Sequence, residues 1–149
     1  ICRRQLMCLF RSMTRRDAEI VFDLEKDLFS DPWPRSSFLN EPFENEAAFA
    51  YVAVKRNEIF GYIMGWDIEC EIHISNIAVI KRSQGQGIGS FILKKLLNLY
   101  SDYKSCFLEV RESNQIAQKL YMKFGFDVIY IRKAYYSNGE NALIMSKHK

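Results

Sequence analysis

The stretch Gln84-Gly85-Gln86-Gly87-Ile88-Gly89 places three glycines within five residues, between an apolar run and an amphipathic segment. Glycine lets the backbone adopt positive φ and approach a ligand closely. Several N–H groups can then point into one concavity beside a helix N-terminus, whose partial positive charge favours anions. The stretch therefore predicts a phosphate-binding turn between a strand and a helix. From the glycines alone, a plain flexible turn is an equally good interpretation.

The composition limits the class of protein. The chain has 149 residues, of which 48% are apolar and 26% charged, as expected for one globular domain with its own core. No run approaches the roughly eighteen apolar residues needed to span a bilayer. Arg11 interrupts the apolar patch near the start, which argues against a secretory signal. We expect a single domain over 1–149, with residues 1–5 either non-native or disordered, and no membrane partner.

The cysteines and the net charge argue against two further classes. The four cysteines form no CxxC pair and only two histidines could join them, so we expect no metal site. Scattered cysteines usually pack as small hydrophobes in a reducing compartment, which favours a cytoplasmic protein. A net charge of +3 is too small to indicate a nucleic-acid-binding surface. We expect a monomer without direct nucleic-acid contacts.

The hydrophobic periodicity predicts an α/β protein of order β-α-α-β-β-β-α-β-α-β-β, with a mixed, mostly antiparallel sheet and helices on both faces. Thr14 is expected to cap the first helix, with Asp17 at its third position. The Pro-rich loop 31–34 ends that helix. Predicted strands cover residues 6–12, 48–55, 59–67, 71–80, 105–111, 126–133 and 141–146. Predicted helices start near Thr14, at Ser36 or Ser37, at Ile88 and at Asn114. The helix that starts at Ser36 or Ser37 is expected to end at about Asn40, and the helix that starts at Asn114 is expected to end before Gly125.

Beyond the turn, the sequence resembles a known family. The pattern Gln84-x-x-Gly87-x-Gly89, after Ile77-Ala78-Val79, resembles the Q/R-x-x-G-x-G/A signature of the GNAT acetyltransferases. The opening at 10–18 and the segment 108–126 are similar to the same family. The resemblance covers the chain from about Leu6. It implies the GNAT acyl-CoA N-acyltransferase fold, with acetyl-CoA as the cosubstrate and no metal.

Within that family, four segments resemble the RimI group, bacterial enzymes that acetylate the N-terminal alanine of a ribosomal small-subunit protein. They are the loop 29–34 (FSDPWP), the strand 76–79 (NIAV), the segment 108–114 (LEVRESN) and the hairpin with Tyr135-Tyr136. This implies acetyl transfer to such an N-terminal α-amine, with that terminus as the protein partner. The sequence departs from the group's usual pattern at Ile80-Lys81, Gly85 and Asn141. These positions concern the turn and the substrate contacts, not the reaction class.

The resemblance also implies catalytic roles. Glu109 would be the general base, because an amine must lose a proton before it attacks the acetyl carbon. Alternation places Glu109 on one strand face with Phe107 and Arg111, where partial desolvation would make it a better base. Tyr121, on the following helix, would be the general acid that protonates the departing thiolate. From the residues alone, Glu109 could also be a solvated strand residue, and Tyr121 is better explained as a core tyrosine beside Ala117, Leu120 and Phe124.

The same resemblance implies the binding residues. Trp33, Tyr135 and Tyr136 would line the peptide site, although half-buried packing would also explain these rings. Asn114 would contact the cofactor, and the same side chain could serve as a helix cap. The full set of implied cofactor contacts is Ile77, Ala78, Val79, Gln84, Gly85, Gln86, Gly87, Ile88, Gly89, Ser90 and Asn114.

Two other functions stay open at this level. The first is a GNAT enzyme that acetylates a lysine side chain or a small amine, against which the Trp33 loop and the paired tyrosines argue. The second is a catalytically silent acyl-CoA-binding module. The presence of both Glu109 and Tyr121 argues against this second alternative.

Overall fold

Among residues 8–149, one mixed sheet of seven strands organises the fold, in the order β1-β2-β3-β4-β5-β7-β6. The computed structural model describes residues 8–149, so the predictions for residues 1–5 and for a strand start at Leu6 lie outside the described residues. The strands are β1 Leu9–Ser12, β2 Ala48–Lys55, β3 Glu58–Ile68, β4 Glu71–Val79, β5 Ser105–Arg111, β6 Asp127–Arg132 and β7 Ala142–His148. The helices are α1 Arg15–Leu28, α2 Arg35–Leu39, α3 Glu41–Glu44, α4 Ile88–Leu99 and α5 Gln115–Lys123.

The predicted order of strands and helices is confirmed, with two additions, the helix α3 and a single 3₁₀ turn at Lys81–Ser83. The sequence predicts no helix between Asn40 and the strand that begins at Ala48, yet α3 lies there and begins directly after Asn40. Pro42 lies in its first turn, where a missing N–H breaks no helical hydrogen bond. All neighbouring strands pair antiparallel except β4 and β5, so the mixed, mostly antiparallel sheet is also confirmed.

Helices pack on both faces of the sheet. On one face, α4 buries Ile92, Leu93 and Leu96 against the interior. On the other face, Ala18 and Val21 of α1 pack over β2, β3 and the end of β4. Within residues 8–149, no helix is long and apolar enough to cross a membrane.

The parallel pair β4 and β5 separates part-way along its length. The two strands pair from Glu71 with Ser105 as far as Ile74 with Leu108, and no further pair follows among the described residues. Opposite this point, the register between β3 and β4 shifts at Met64 and Gly65, which leaves Ser75 as an extra residue in β4. Such a bulge bends a strand and twists it locally. The result is a gap in the sheet between the end of β4 and the end of β5.

The bulge also reverses the side-chain alternation of β4. Ile72 and Ile74 face the α4 side before the bulge. After it, Asn76 and Ala78 face α1, while Ile77 and Val79 turn toward α4. The polar Asn76 is thereby brought to the gap from the α1 side.

Local capping fixes the helices that border this gap. The Thr14 hydroxyl accepts a hydrogen bond from the Asp17 N–H, and the Asp17 carboxylate accepts one from the Thr14 N–H, which confirms the predicted cap. The Asn114 side chain caps α5 by accepting from the Ala117 N–H at 3.2 Å. Gly125 follows that helix at a φ of 94°, as a glycine stop signal requires.

Candidate active site

The glycine turn lies at the mouth of a cavity of about 440 Å³, which we call the glycine-turn cavity. Gly85 and Gly87 both have positive φ, at 79° and 81°, as the sequence predicts for this turn. Gly87 is the N-cap of α4, so the first N–H groups of that helix have no acceptor within it. These N–H groups and the helix dipole make the turn suited to an anion. Every predicted cofactor residue except Gln86 lines this cavity.

Gln84 has a structural role in the turn. Its side-chain Nε2 donates to the Val79 carbonyl at 3.0 Å. This bond ties the turn to the last residue of β4. The spacing between strand and turn is thus held by a hydrogen bond, and the predicted direct contact between Gln84 and a ligand stays a prediction.

A second cavity, of about 120 Å³, occupies the gap between β4 and β5, and we call it the Glu109 cavity. Its lining comes from four parts of the fold: α1 and the loop after it, the diverging strands, α5 with its cap, and the β6–β7 hairpin. Glu109, Trp33 and Tyr136 are among its residues, as the sequence predicts. Tyr135 is not among them and lies at the rim, 46% exposed, with its ring centre 5.2 Å from that of Tyr136.

The two cavities meet inside the gap. Phe29, Ile77, Asn114 and Tyr121 line both of them. Tyr121 is 5% exposed, and burial raises the pKa of its phenol. A buried neutral phenol at this junction can donate its proton toward a group entering from either side.

Glu109 lies beside the gap, as the sequence predicts. Its side chain is 35% exposed, and its Oε1 accepts from Arg132 Nη1 at 3.1 Å. Helix α1 packs against β2, β3 and the end of β4, and the cavity beside Glu109 is lined instead by the loop after α1 and by Tyr136 of the hairpin. Glu109 is therefore a partly covered carboxylate at the edge of the gap, and its role as a base stays a prediction.

The sequence patterns did not indicate the most buried ionisable group of the site, Glu25. This residue is 1% exposed on α1, and desolvation raises the pKa of its carboxyl group. Tyr62 Oη donates to it at 2.8 Å, and Asn76 Nδ2 donates to both of its oxygens at 3.0 and 3.1 Å. The Trp33 N–H also points to it, at 3.4 Å. The sequence carried a signal, since Glu25 falls on the same helix stripe as the apolar Ala18 and Val21.

Arg111 is a second residue whose role the sequence did not indicate. Its guanidinium lies 3.8 Å from the centre of the Tyr136 ring. It forms ion pairs with Asp31 at 2.9 Å and with Glu140 at 3.1 Å. Burial raises the pKa of Tyr136 to about 12, so this ring meets the arginine as a neutral aromatic face. Contacts between segments so distant in the chain leave no local pattern in the sequence.

Comparison with known proteins then decides the family. The model of the acetyltransferase (GNAT) family matches residues 18–126. The chain belongs to the GNAT acetyltransferase family. It is therefore an acyltransferase with the GNAT fold, and members of this family use acetyl-CoA as the acetyl donor.

Several GNAT relatives match over almost their whole length. A Bacillus subtilis protein, provisionally named a ribosomal protein bS18-alanine N-acetyltransferase, is 38% identical over 138 residues, which cover 91% of each chain. A Haemophilus influenzae ribosomal protein bS18-alanine N-acetyltransferase is 32% identical over 94% of this chain and 98% of that one. The crystal structure of the Escherichia coli ribosomal-protein-S18-alanine N-acetyltransferase superposes with a TM-score of 0.87, at 26% identity, covering 95% and 94% of the two chains.

Proposed function

We propose that this GNAT enzyme transfers the acetyl group of acetyl-CoA to the N-terminal α-amine of a ribosomal small-subunit protein, with alanine as the acetylated residue. The observation that carries the proposal is the meeting of two cavities at Tyr121 and Asn114. One cavity suits a phosphate-bearing donor and the other suits a short, extended acceptor. The names of the Bacillus and Haemophilus relatives support this choice of acceptor.

Acetyl-CoA would lie in the glycine-turn cavity. Its pyrophosphate would accept from the N–H groups of the turn and of the first residues of α4. Its pantetheine arm would run along Ile77, Ala78 and Val79, where β4 has separated from β5 and leaves its backbone available for pairing. The thioester would then reach the junction beside Asn114 and Tyr121. Holding donor and acceptor in one gap removes much of the entropic cost of their encounter.

Glu109 would remove the proton from the incoming amine. An α-amine has a pKa of about 8, so a carboxylate can accept its proton directly or through one water. The open position of Glu109 gives such a proton a path to solvent. The neutral amine then attacks the acetyl carbon and gives a tetrahedral intermediate with a positively charged nitrogen. The carbonyl re-forms as the carbon–sulfur bond breaks and releases the thiolate. The nitrogen loses its remaining excess proton to solvent, which leaves a neutral amide, and solvent returns a proton to the phenolate of Tyr121 after it has protonated the sulfur.

Tyr121 would protonate that thiolate. The raised pKa keeps the phenol protonated until the sulfur leaves. A raised pKa also makes the phenol a weaker acid than one in water. The same burial would also raise the pKa of a thiol formed beside it, because desolvation disfavours both anions, and this favours proton transfer to the sulfur.

The acceptor would enter between Trp33 and Tyr136, which both line the Glu109 cavity. Aromatic rings in these positions can hold a short extended peptide and keep water from the reacting atoms. We further propose that the enzyme is a cytoplasmic monomer that does not bind nucleic acid. Its substrate would be an N-terminus that extends from the folded part of the acceptor protein. A lysine side chain or a small amine is the competing acceptor.

Steady-state kinetics with alternative acceptors test this proposal. The panel contains an alanine-starting peptide of a small-subunit ribosomal protein, the same peptide with a blocked N-terminus and an added lysine, and a set of small amines. We expect the free-terminus peptide to have the highest kcat/KM. Turnover of small amines with no turnover of any peptide would overturn the proposal.

A further inference from the structure

Two segments that face each other across the Glu109 cavity are tied together by one carboxylate. The first is the loop between α1 and α2, and the second is the hairpin between β6 and β7. Asp31 Oδ1 accepts from the Ser137 hydroxyl, and Asp31 Oδ2 accepts from the Ser137 N–H at 3.2 Å. The same oxygen accepts from Arg111 Nη2 at 2.9 Å. The contacts with Ser137 join residues 106 positions apart in the chain, and the contact with Arg111 joins residues 80 positions apart.

The hairpin is ordered by bonds of its own. The Tyr136 N–H donates to the Glu140 carbonyl at 3.2 Å, and the Gly139 N–H donates to the Tyr136 carbonyl at 2.9 Å. The Ala134 N–H donates to the Asn141 side chain at 2.9 Å, so Asn141 has a structural role here. The hairpin therefore presents Ser137 and Tyr136 from a fixed frame.

The loop depends more on its partners. Residues 29–34 lie outside every helix and strand, and their bonds mostly reach other elements. The Trp33 N–H reaches Glu25, and Ser30 Oγ accepts from Arg111 at 3.2 Å. Asp31 adds the bonds to Ser137 and Arg111. Loss of the Asp31 carboxylate would leave the loop held near its two ends but free of the hairpin.

Arg111 links these contacts to the lining of the cavity. It is 18% exposed and lies against the Tyr136 ring while pairing with Asp31 and Glu140. The Ser113 side chain and N–H hold the pKa of Glu140 down, at about 2, so this carboxylate stays charged. Arg111 is thus shared between one fixed anion, Glu140, and one anion on the loop, Asp31. The position of the loop 29–34 relative to Arg111 and to the Tyr136 ring therefore depends on Asp31.

We propose that Asp31 is a positioning residue, which latches the loop 29–34 to the hairpin at Ser137 and Arg111 and so preforms the acceptor side of the cavity. This inference rests on the proposed peptide acceptor. It assigns Asp31 to acceptor binding and not to acetyl-CoA binding, because Asp31 lines the Glu109 cavity and not the glycine-turn cavity. An open loop must be ordered when the peptide binds, which weakens binding without changing the chemical step.

Kinetics of matched variants test the role of the latch. Asp31→Asn turns an acceptor oxygen into a donor that faces Arg111. We expect the KM for an alanine-starting peptide to rise by about tenfold, with kcat within about twofold and acetyl-CoA affinity unchanged. Ser137→Ala should raise the peptide KM by less, and Ser137→Thr, which keeps the hydroxyl, should restore it. Asp27→Asn removes an exposed charge four residues earlier and should behave as the native chain.

Hydrogen exchange tests the latch independently of activity. Asp31→Asn should increase deuterium uptake in the loop 29–34, and Asp27→Asn should not. Unchanged uptake, or a parallel loss of peptide binding, acetyl-CoA binding and melting temperature, would overturn the proposal. If the native enzyme acetylates no peptide, the proposed acceptor is wrong, and the exchange result still decides whether Asp31 holds the loop.

Discussion

At the scale of single residues, the chemistry divides between a partly exposed carboxylate and a buried phenol. Glu109 has solvent beside it and an arginine within hydrogen-bonding distance. Tyr121 lies where the two cavities meet, enclosed by protein. This difference suits their proposed roles, because a base must pass its proton on to solvent and an acid must keep its proton until the sulfur leaves.

Glu109→Gln should lower kcat by at least about a hundredfold, since glutamine keeps the shape of the side chain but cannot take up the amine proton. Acetyl-CoA binding should change little, because Glu109 does not line the glycine-turn cavity. Steady-state assays and calorimetric titration with acetyl-CoA measure the two effects separately. Glu46→Gln, at an exposed glutamate before β2, is the control. Unchanged turnover in Glu109→Gln would remove this residue from the mechanism.

At the scale of elements, the turn before α4 and the helix α1 each carry a testable consequence. Gly87 has a φ of 81°, a conformation that disfavours a side chain by about 1–2 kcal/mol. In Gly87→Ala the turn should relax away from this conformation and move the N–H groups that face the cavity. We expect acetyl-CoA affinity to fall by about tenfold in a calorimetric titration.

Gly89→Ala is the matched control for that variant. Gly89 lies inside α4, where alanine is favoured, and its added Cβ would lie 3.2 Å from Leu120 Cδ2, the end of a flexible side chain. Its acetyl-CoA affinity should stay within about threefold of the native value. Equal losses of acetyl-CoA affinity in the two variants would show that the added side-chain volume weakens binding, and not the change of backbone conformation at Gly87.

Glu25 on α1 predicts a dependence of stability on pH. Its pKa in the folded protein is raised above the ordinary value of 4.5. The folded state therefore retains a proton that the unfolded state releases once the pH passes about 4.5. Stability must fall as the pH rises through the window between these two pKa values. Glutamine cannot ionise, so Glu25→Gln should flatten this fall.

Urea denaturation at a series of pH values from about 4 to about 7 measures the effect. The native chain and Glu19→Gln, an exposed position on the same helix, provide the reference slopes. The difference in stability between Glu25→Gln and the native chain should shift in favour of the variant as the pH rises. The same slope in all three proteins would mean that Glu25 ionises without cost in the folded state.

At the scale of the whole molecule, the local patterns were sufficient for the element order and for the glycine turn. Capping by Thr14 and Asn114, and the stop at Gly125, follow from single side chains and their nearest neighbours. The short helix α3 was missed because proline usually ends a helix, and its tolerance in a first turn depends on where the helix begins.

The parts of the site that the sequence did not reveal depend on contacts between distant segments. Burial of Glu25 requires Tyr62 and Asn76, which are 37 and 51 residues away. The Asp31 contact with Ser137 spans 106 residues. The partial cover of Glu109 comes with a cavity lined by the loop 29–34 and by Tyr136 of the hairpin. Strand alternation can place a side chain on a face, but it cannot say which distant segments will cover that face.

The central claim is that the gap between β4 and β5 joins an acetyl donor to a protein N-terminus. Mass spectrometry of a purified small-subunit ribosomal protein with an N-terminal alanine, incubated with acetyl-CoA and this enzyme, tests it most directly. We expect one added acetyl group, located on the α-amine by fragmentation, and far less of it from Glu109→Gln over the same short incubation. Acetylation confined to lysine side chains, or an unmodified N-terminal alanine after complete incubation, would contradict it.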